Sequence, residues 1–128
     1  MKPNVLYIED NEQNQYLVRY LLEQRGLRVT LAVDGSEGIR LATEAPPDLI
    51  LLDIQLPGMD GYQVARILKG IPELAVVPIV AVTSYAMVGD RERAIACGCN
   101  GYIEKPIEPE HFFEQIARYL PDAARRDK

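Results

Sequence analysis

The sequence predicts an open α/β fold in which five strands alternate with five helices and form one parallel, doubly wound sheet. Three observations carry this expectation. Residues 49–52, Leu-Ile-Leu-Leu, are a continuous apolar run of the kind that forms a strand covered on both faces. Short apolar or β-branched runs also occur at residues 5–8, 28–32, 77–82 and 101–104. The segments between them show apolar residues at helical spacing, and each is long enough for the crossover that parallel pairing requires. At 128 residues the chain is expected to be one domain with enough material for a sizeable core.

Taken in order, Val-Leu-Tyr-Ile at 5–8 is the first strand, with Glu9 and Asp10 at its end. The polar stretch 11–14 suits a helix start. Leu17, Val18, Leu21 and Leu22 then repeat at helical spacing to about Arg25, and Gly26 supplies the stop. The second strand, 28–32, leads to the Asp34-Gly35 turn and a helix over 36–45, with Ile39 and Ala42 inward, ended by Pro46-Pro47. The third strand ends at Asp53. A loop containing Pro57-Gly58 reaches Gly61 and a third helix with Val64, Ile67 and Leu68 on one face, stopped at Gly70 and Pro72. The fourth strand, 77–82, tolerates Pro78 near its start and is followed by Thr83-Ser84. A fourth helix is expected from about Met87 to Cys97, with Gly98 as its stop. The fifth strand is 101–104, followed by Lys105-Pro106. Pro109 suits the first turn of the last helix, which presents Phe112, Phe113, Ile116 and Leu120. No internal repeat, low-complexity run or linker interrupts the pattern. The expected division is a domain over 1–121 and a frayed tail over 122–128.

Composition excludes several classes. The net charge of −5 argues against direct nucleic-acid binding and against anionic membrane surfaces, and Arg125-Arg126 reads as solvated tail. No apolar stretch is long enough for a membrane span, and the N-terminus shows no signal-peptide core, so a cytoplasmic setting is expected. Cys97 and Cys99 lack the further ligands of a zinc site and read as small packing residues at a helix end. His111, the one histidine, reads as a surface residue of the last helix.

In a parallel sheet the C-terminal strand tips share one edge, the edge at which open α/β sheets bind ligands. The tips here carry Glu9 and Asp10, Asp53, Thr83 and Lys105. Asp53 alone would be an ordinary turn residue. Four of five tips bearing this mixture calls for another explanation. Three adjacent carboxylates repel one another and need a cation. Their hard oxygens suit Mg²⁺. Lys105 adds a point charge, Thr83 a hydrogen-bond donor, and Asp53 a carboxylate able to act as nucleophile. Together they form a phosphoryl-transfer set.

These residues, with Leu56-Pro57-Gly58-Met59-Asp60-Gly61 and Lys105-Pro106, resemble the receiver domain of two-component response regulators across nearly the whole chain. The resemblance implies a flavodoxin-like sheet of order 2-1-3-4-5, an order for which a member of this family is the standard example. It implies that Asp53 accepts a phosphoryl group from phosphohistidine. Mg²⁺ would be held by Glu9, Asp10, Asp53 and the backbone carbonyl of Gln55. Lys105 would bridge to the phosphoryl group, Thr83 and Tyr102 would act as the switch pair, and Gln55 and Tyr85 would tune hydrolysis. The Lys105–Pro106 bond is expected to be cis. The Asp10-Asn11-Glu12 opening and the 102–106 run are most similar to single-domain regulators of the cell-fate type, or to receiver modules of hybrid histidine kinases.

Such a chain is a phospho-accepting switch and not a turnover enzyme, apart from self-phosphorylation and slow self-dephosphorylation. A phosphatase of the haloacid-dehalogenase kind would want a second Asp two residues after Asp53, where Gln55 stands. A flavin-binding module would want a Gly-, Ser- or Thr-rich phosphate loop after the first strand, where the acidic 10–12 segment stands, and no P-loop occurs. The expected partners are a histidine kinase or histidine phosphotransfer protein and a downstream protein. No output segment follows Leu120, so output is expected through protein contacts or through a domain of a longer chain, with Tyr102, Phe112 and Phe113 as candidates for a contact surface. Input specificity is expected around Gln15, Tyr16 and Arg19 of the first helix and in the loops beside Asp53, and the state to be monomer or weak dimer.

Overall fold

The computed structural model describes residues 2–84 and 88–121. Five parallel strands, β1 (Asn4–Ile8), β2 (Arg28–Ala32), β3 (Leu49–Asp53), β4 (Ile79–Thr83) and β5 (Gly101–Glu104), pair in the order β2-β1-β3-β4-β5. Helices α1 (Glu12–Glu23), α2 (Gly35–Glu44), α3 (Gly61–Lys69), α4 (Asp90–Ala96) and α5 (Pro109–Ala117) make the crossovers. The expected order and fold class are therefore those observed.

Side chains alternate faces along each strand, so each covered strand feeds two cores. Val5, Tyr7, Leu49, Leu51, Val80, Val82 and Ile103 lie in one, with Val18 and Leu22 of α1 and Phe112, Phe113 and Ile116 of α5. Leu6, Ile8, Ile50, Leu52, Ile79 and Ala81 lie in the other, with Ala42 of α2, Val64, Ala65 and Leu68 of α3, and Ala94 of α4. Each large side chain buried in this way contributes about 1.5–3 kcal/mol of transfer free energy.

The helices start where polar side chains satisfy their free N–H groups. Asn11 accepts from the Asn14 N–H at 2.9 Å and Asp34 from the Glu37 N–H at 2.8 Å. Asp60 and Gln63 form a reciprocal capping box. Gly26 follows α1 at φ +80°, the left-handed conformation expected of a stop glycine.

Four expectations need correction. Phe112 and Phe113 are both buried, Phe112 completely, so neither offers a partner surface; α5 turns both rings onto the sheet. Ile67 is exposed, and Ala65 packs inward beside Val64 and Leu68 in its place. Val77 and Pro78 precede β4, because proline lacks the N–H a ladder uses, although the Pro78 carbonyl still accepts from Ile50 N–H at 3.0 Å. Helix α4 begins at Asp90, after Gly89; the expected start at Met87 lies outside the described residues, as do Tyr85 and the 122–128 tail. Cys97 and Cys99 are buried free thiols and His111 is exposed, as expected. The Lys105–Pro106 bond is cis.

Candidate functional site

Parallel pairing sets the tips of β1, β3, β4 and β5 side by side. Ile8 is in register with Leu52, Asp53 with Val82, and Thr83 with Glu104. Backbone hydrogen bonds extend the tips beyond the ladders. Ile54 N–H donates to the Val82 carbonyl at 3.1 Å, and Lys105 N–H to the Thr83 carbonyl at 2.7 Å. The residues that follow the strands are therefore held nearly as firmly as the strands themselves.

Glu9 and Asp53 are almost fully buried, at 1% and 2% exposure, whereas Asp10 is exposed. Oxygens of these three carboxylates lie within 4.8 Å of one another. Lys105 places its Nζ 2.7 Å from Glu9 Oε1 and 3.3 Å from Asp53 Oδ2. The Gln55 N–H donates to Asp53 Oδ1 at 2.9 Å. One oxygen of Asp53 is thus fixed by backbone while the other faces the ammonium. The opening above is lined by Asp10, Asn11, Gln55 and Ser84.

Burial raises the Asp53 carboxyl to about 6, with the Glu9 carboxylate pushing the same way and the Gln55 N–H and Lys105 opposing. Burial also acts upward on Glu9, but hydrogen bonds from Asp53, Lys105 and Tyr7 outweigh it and leave Glu9 below the ordinary carboxylate range. Lys105 is held above its ordinary value: burial opposes this, and its bonds to Glu9 and Asp53 prevail. The pair therefore shares its charge unequally, with Glu9 the more firmly ionised. Three hard carboxylates facing one ammonium leave net negative charge, a donor set that fits a small hard divalent cation.

Thr83 is buried at 2% exposure. By strand alternation it shares the face of Ile79 and Ala81, and Tyr102, in register with Ala81, packs into the same core. Glu9, Asp53 and Lys105 belong by the same alternation to the opposite face. The structure therefore gathers Glu9, Asp10, Asp53, Gln55 and Lys105 around one opening and sets Thr83 and Tyr102 together on the α4 side. Tyr85 lies outside the described residues.

Sequence reasoning missed the groups that surround Glu9. The Tyr7 hydroxyl donates to Glu9 Oε1 at 2.7 Å, the Asn14 side chain donates to the same oxygen at 3.4 Å, and the Asn11 N–H donates to Oε2 at 3.2 Å. The Gln15 side-chain amide donates to the Glu9 backbone carbonyl, so Gln15, expected at a specificity surface, is turned inward, while Tyr16 and Arg19 are exposed. Parity offered a signal for Tyr7, which stands two residues before Glu9 in one strand and hence on one face. Burial, then the Glu9 carboxylate, holds the Tyr7 phenol above its ordinary range, so it remains a donor at neutral pH.

A five-stranded sheet of this order with an acid cluster and a lysine at its C-terminal edge defines a CheY-like architecture. Residues 5–117 match the response regulator receiver domain, and the chain belongs to that family, the signalling modules of two-component systems. It is 46% identical over 123 residues to the polar-differentiation response regulator DivK of Brucella anthropi, covering 96% of this chain and 100% of that protein, and equally so to DivK of Brucella abortus. Among solved structures it superposes on the receiver domain of the sensor histidine kinase PA1611 from Pseudomonas aeruginosa PAO1 with a TM-score of 0.85 and 35% identity, covering 93% of this chain and 98% of that one. That structure carries a magnesium ion coordinated in its active-site cleft. The chemotaxis protein CheY4 of Vibrio cholerae gives a TM-score of 0.89 at 26% identity, covering 94% and 100%. Relatives of both expected kinds, a DivK regulator and the receiver of a histidine kinase, are thus represented. Among the described residues no helix is long and apolar enough to cross a membrane.

Proposed function

We propose that Asp53 accepts a phosphoryl group from the phosphohistidine of a histidine kinase or histidine phosphotransfer protein, in a Mg²⁺-dependent reaction, and that the resulting change is read by a partner protein. The observation that carries this is the environment of Asp53: a carboxylate at 2% exposure with Oδ1 held by the Gln55 N–H and Oδ2 facing the Lys105 ammonium at 3.3 Å. An Asp53 oxygen attacks phosphorus, the P–N bond breaks, and its electron pair leaves with the imidazole. The Asp53 side chain keeps its orientation through the backbone bond, so little is spent on positioning.

Glu9, Asp10, Asp53 and the Gln55 backbone carbonyl would hold Mg²⁺, which when bound offsets the charge of the carboxylates and of the phosphoryl oxygens. Lys105, now shared by two carboxylates, moves its hydrogen bonds to the phosphoryl group. Phosphorylation adds close to two negative charges at Asp53. The Thr83 hydroxyl bonds one of the new oxygens, Tyr102 fills the space this opens on the shared face, and α4 and β5 present an altered surface. The switch is a shift between two states of the domain carried by residues 1–121. Gln55 and Tyr85 tune the lifetime of the phosphoryl group. The chain turns over no substrate beyond self-phosphorylation from small phosphodonors and slow hydrolysis.

Incubation with acetyl phosphate and Mg²⁺ is expected to add one phosphoryl group, read by intact mass. Asp53→Asn is expected to abolish the gain, and EDTA to prevent it in the parent. Equal labelling of Asp53→Asn would overturn the acceptor assignment, and labelling unchanged by EDTA the metal assignment.

A further inference from the structure

Tyr7 is the next-to-last residue of β1 and has no exposed surface, in the core that holds Val5, Leu51, Val80 and Phe112. A phenol in such a place brings a hydroxyl that must find a partner. The other buried side chains of this core are aliphatic or phenyl and offer none. Strand alternation directs residue 9 to the face of residue 7, one pleat nearer the strand tip, and the Tyr7 hydroxyl donates to Glu9 Oε1 at 2.7 Å.

The two oxygens of Glu9 are consequently unlike. Oε1 accepts from Tyr7 at 2.7 Å, from Lys105 at 2.7 Å and from Asn14 at 3.4 Å. Oε2 accepts the Asn11 backbone N–H at 3.2 Å, a long bond. A glutamate has one more rotatable bond than an aspartate, and with it more ways to miss a ligand position. A donor fixed from below in the sheet core removes that freedom.

We infer that Tyr7 is a positioning residue for the cation site: its hydroxyl pins Oε1 of Glu9 beside Lys105 and leaves Oε2 to the ion held with Asp10 and Asp53. This deepens the reading of the site given above and rests on it. Hydrogen-bond partners of ligating groups typically change metal affinity about 10- to 100-fold when removed. Tyr7 acts only through Glu9, never on the phosphoryl group itself.

The test is Mg²⁺ titration by calorimetry on the metal-free parent, Tyr7→Phe, Glu9→Asp and the double variant, with thermal unfolding of each in EDTA. Tyr7→Phe keeps the ring in its core site, so cooperative unfolding is expected. Its Kd for Mg²⁺ is expected to rise about 10-fold. In acetyl phosphate labelling the Mg²⁺ concentration for half-maximal rate rises with it, while the rate at saturating Mg²⁺ stays within twofold. Glu9→Asp draws the carboxylate away from the phenol, so adding Tyr7→Phe to it is expected to change Kd less than twofold. A Kd for Tyr7→Phe within twofold of the parent, or an equal effect in both backgrounds, would overturn this inference alone. A parent that binds no Mg²⁺ would overturn the reading of the site and this inference with it.

Discussion

Glu9 and Asp53 share one ammonium, and each draws on further donors, Glu9 on more of them. Asp53 takes the Gln55 N–H; Glu9 takes Tyr7, Asn14 and the Asn11 N–H. A buried carboxylate without such partners would be costly to ionise. Burial also sets the protonation of Cys99. Burial, then the nearby Cys97, pushes its thiol up to about 12 from an ordinary value near 9, against the pull of Lys69. The folded chain therefore keeps this proton after the unfolded chain has released it. Stability is fully present below pH 9 and falls as pH rises through 9 toward 12. Between pH 8.5 and 10.5 the urea midpoint of the parent is expected to fall further than that of Cys99→Ala, by the equivalent of about 2 kcal/mol at most. Parallel slopes for the two proteins would contradict the assignment. Thiol reagents are likewise expected to react slowly with the folded protein and with both thiols once urea is added.

Helix α3 shows how an element serves the site without touching its chemistry. Gly61 N–H donates to the Ile54 carbonyl at 2.9 Å, and a Cβ at Gly61 would lie 2.5 Å from Ile54 Cα and 2.7 Å from the Asp53 carbonyl oxygen. Backbone cannot yield as a side-chain tip can, so the helix start and the β3 tip fit only with hydrogen at this position. Gly61→Ala is expected to destabilise the protein by about 1–3 kcal/mol in urea unfolding, as overpacking does. It is also expected to slow acetyl phosphate labelling by displacing the Asp53–Gln55 segment. Full stability with a parental labelling rate would show that the loop absorbs the methyl group. The sequence displayed Gly61 as a loop end and helix start, because that is a local backbone requirement. It did not display the close approach to Asp53, which depends on where α3 docks. The start of α4 was missed for a related reason: Gly89 and Asp90 compete with an apolar residue, Val88, that fits a helical pattern yet stands fully exposed.

Across the whole molecule, the five apolar runs and the sense of their connections were enough to place four strand tips on one edge, and with them Glu9, Asp10, Asp53, Thr83 and Lys105. What periodicity could not supply was distance. That Phe112 and Phe113 both turn inward depends on how α5 docks on the sheet, and that Gln15 reaches back to the Glu9 carbonyl and Tyr7 ends at Glu9 depends on side-chain reach across the β1 tip, which spacing alone does not give. A cation bound at the shared edge would tie β1 to β3 and stabilise the entire fold by mass action. At 100 times its Kd, Mg²⁺ is expected to raise unfolding stability by about 2.7 kcal/mol, with a logarithmic dependence on concentration. Asp10→Asn is expected to weaken that response with little change in metal-free stability, since Asp10 is exposed. Thermal melts across a Mg²⁺ series would check both, and a midpoint indifferent to Mg²⁺ would count against the cation site. The alternation of β4 and β5 has one more consequence. Asp53, Glu9 and Lys105 look out on one side of the sheet, Thr83 and Tyr102 on the other, so on the proposed reading a message would be written on one side and carried round the β4 tip by Thr83 to be heard on the other. Substitutions at Tyr102 are expected to change the listener's response while the rate of writing at Asp53 holds, and evolution could re-address the output without redrafting the input.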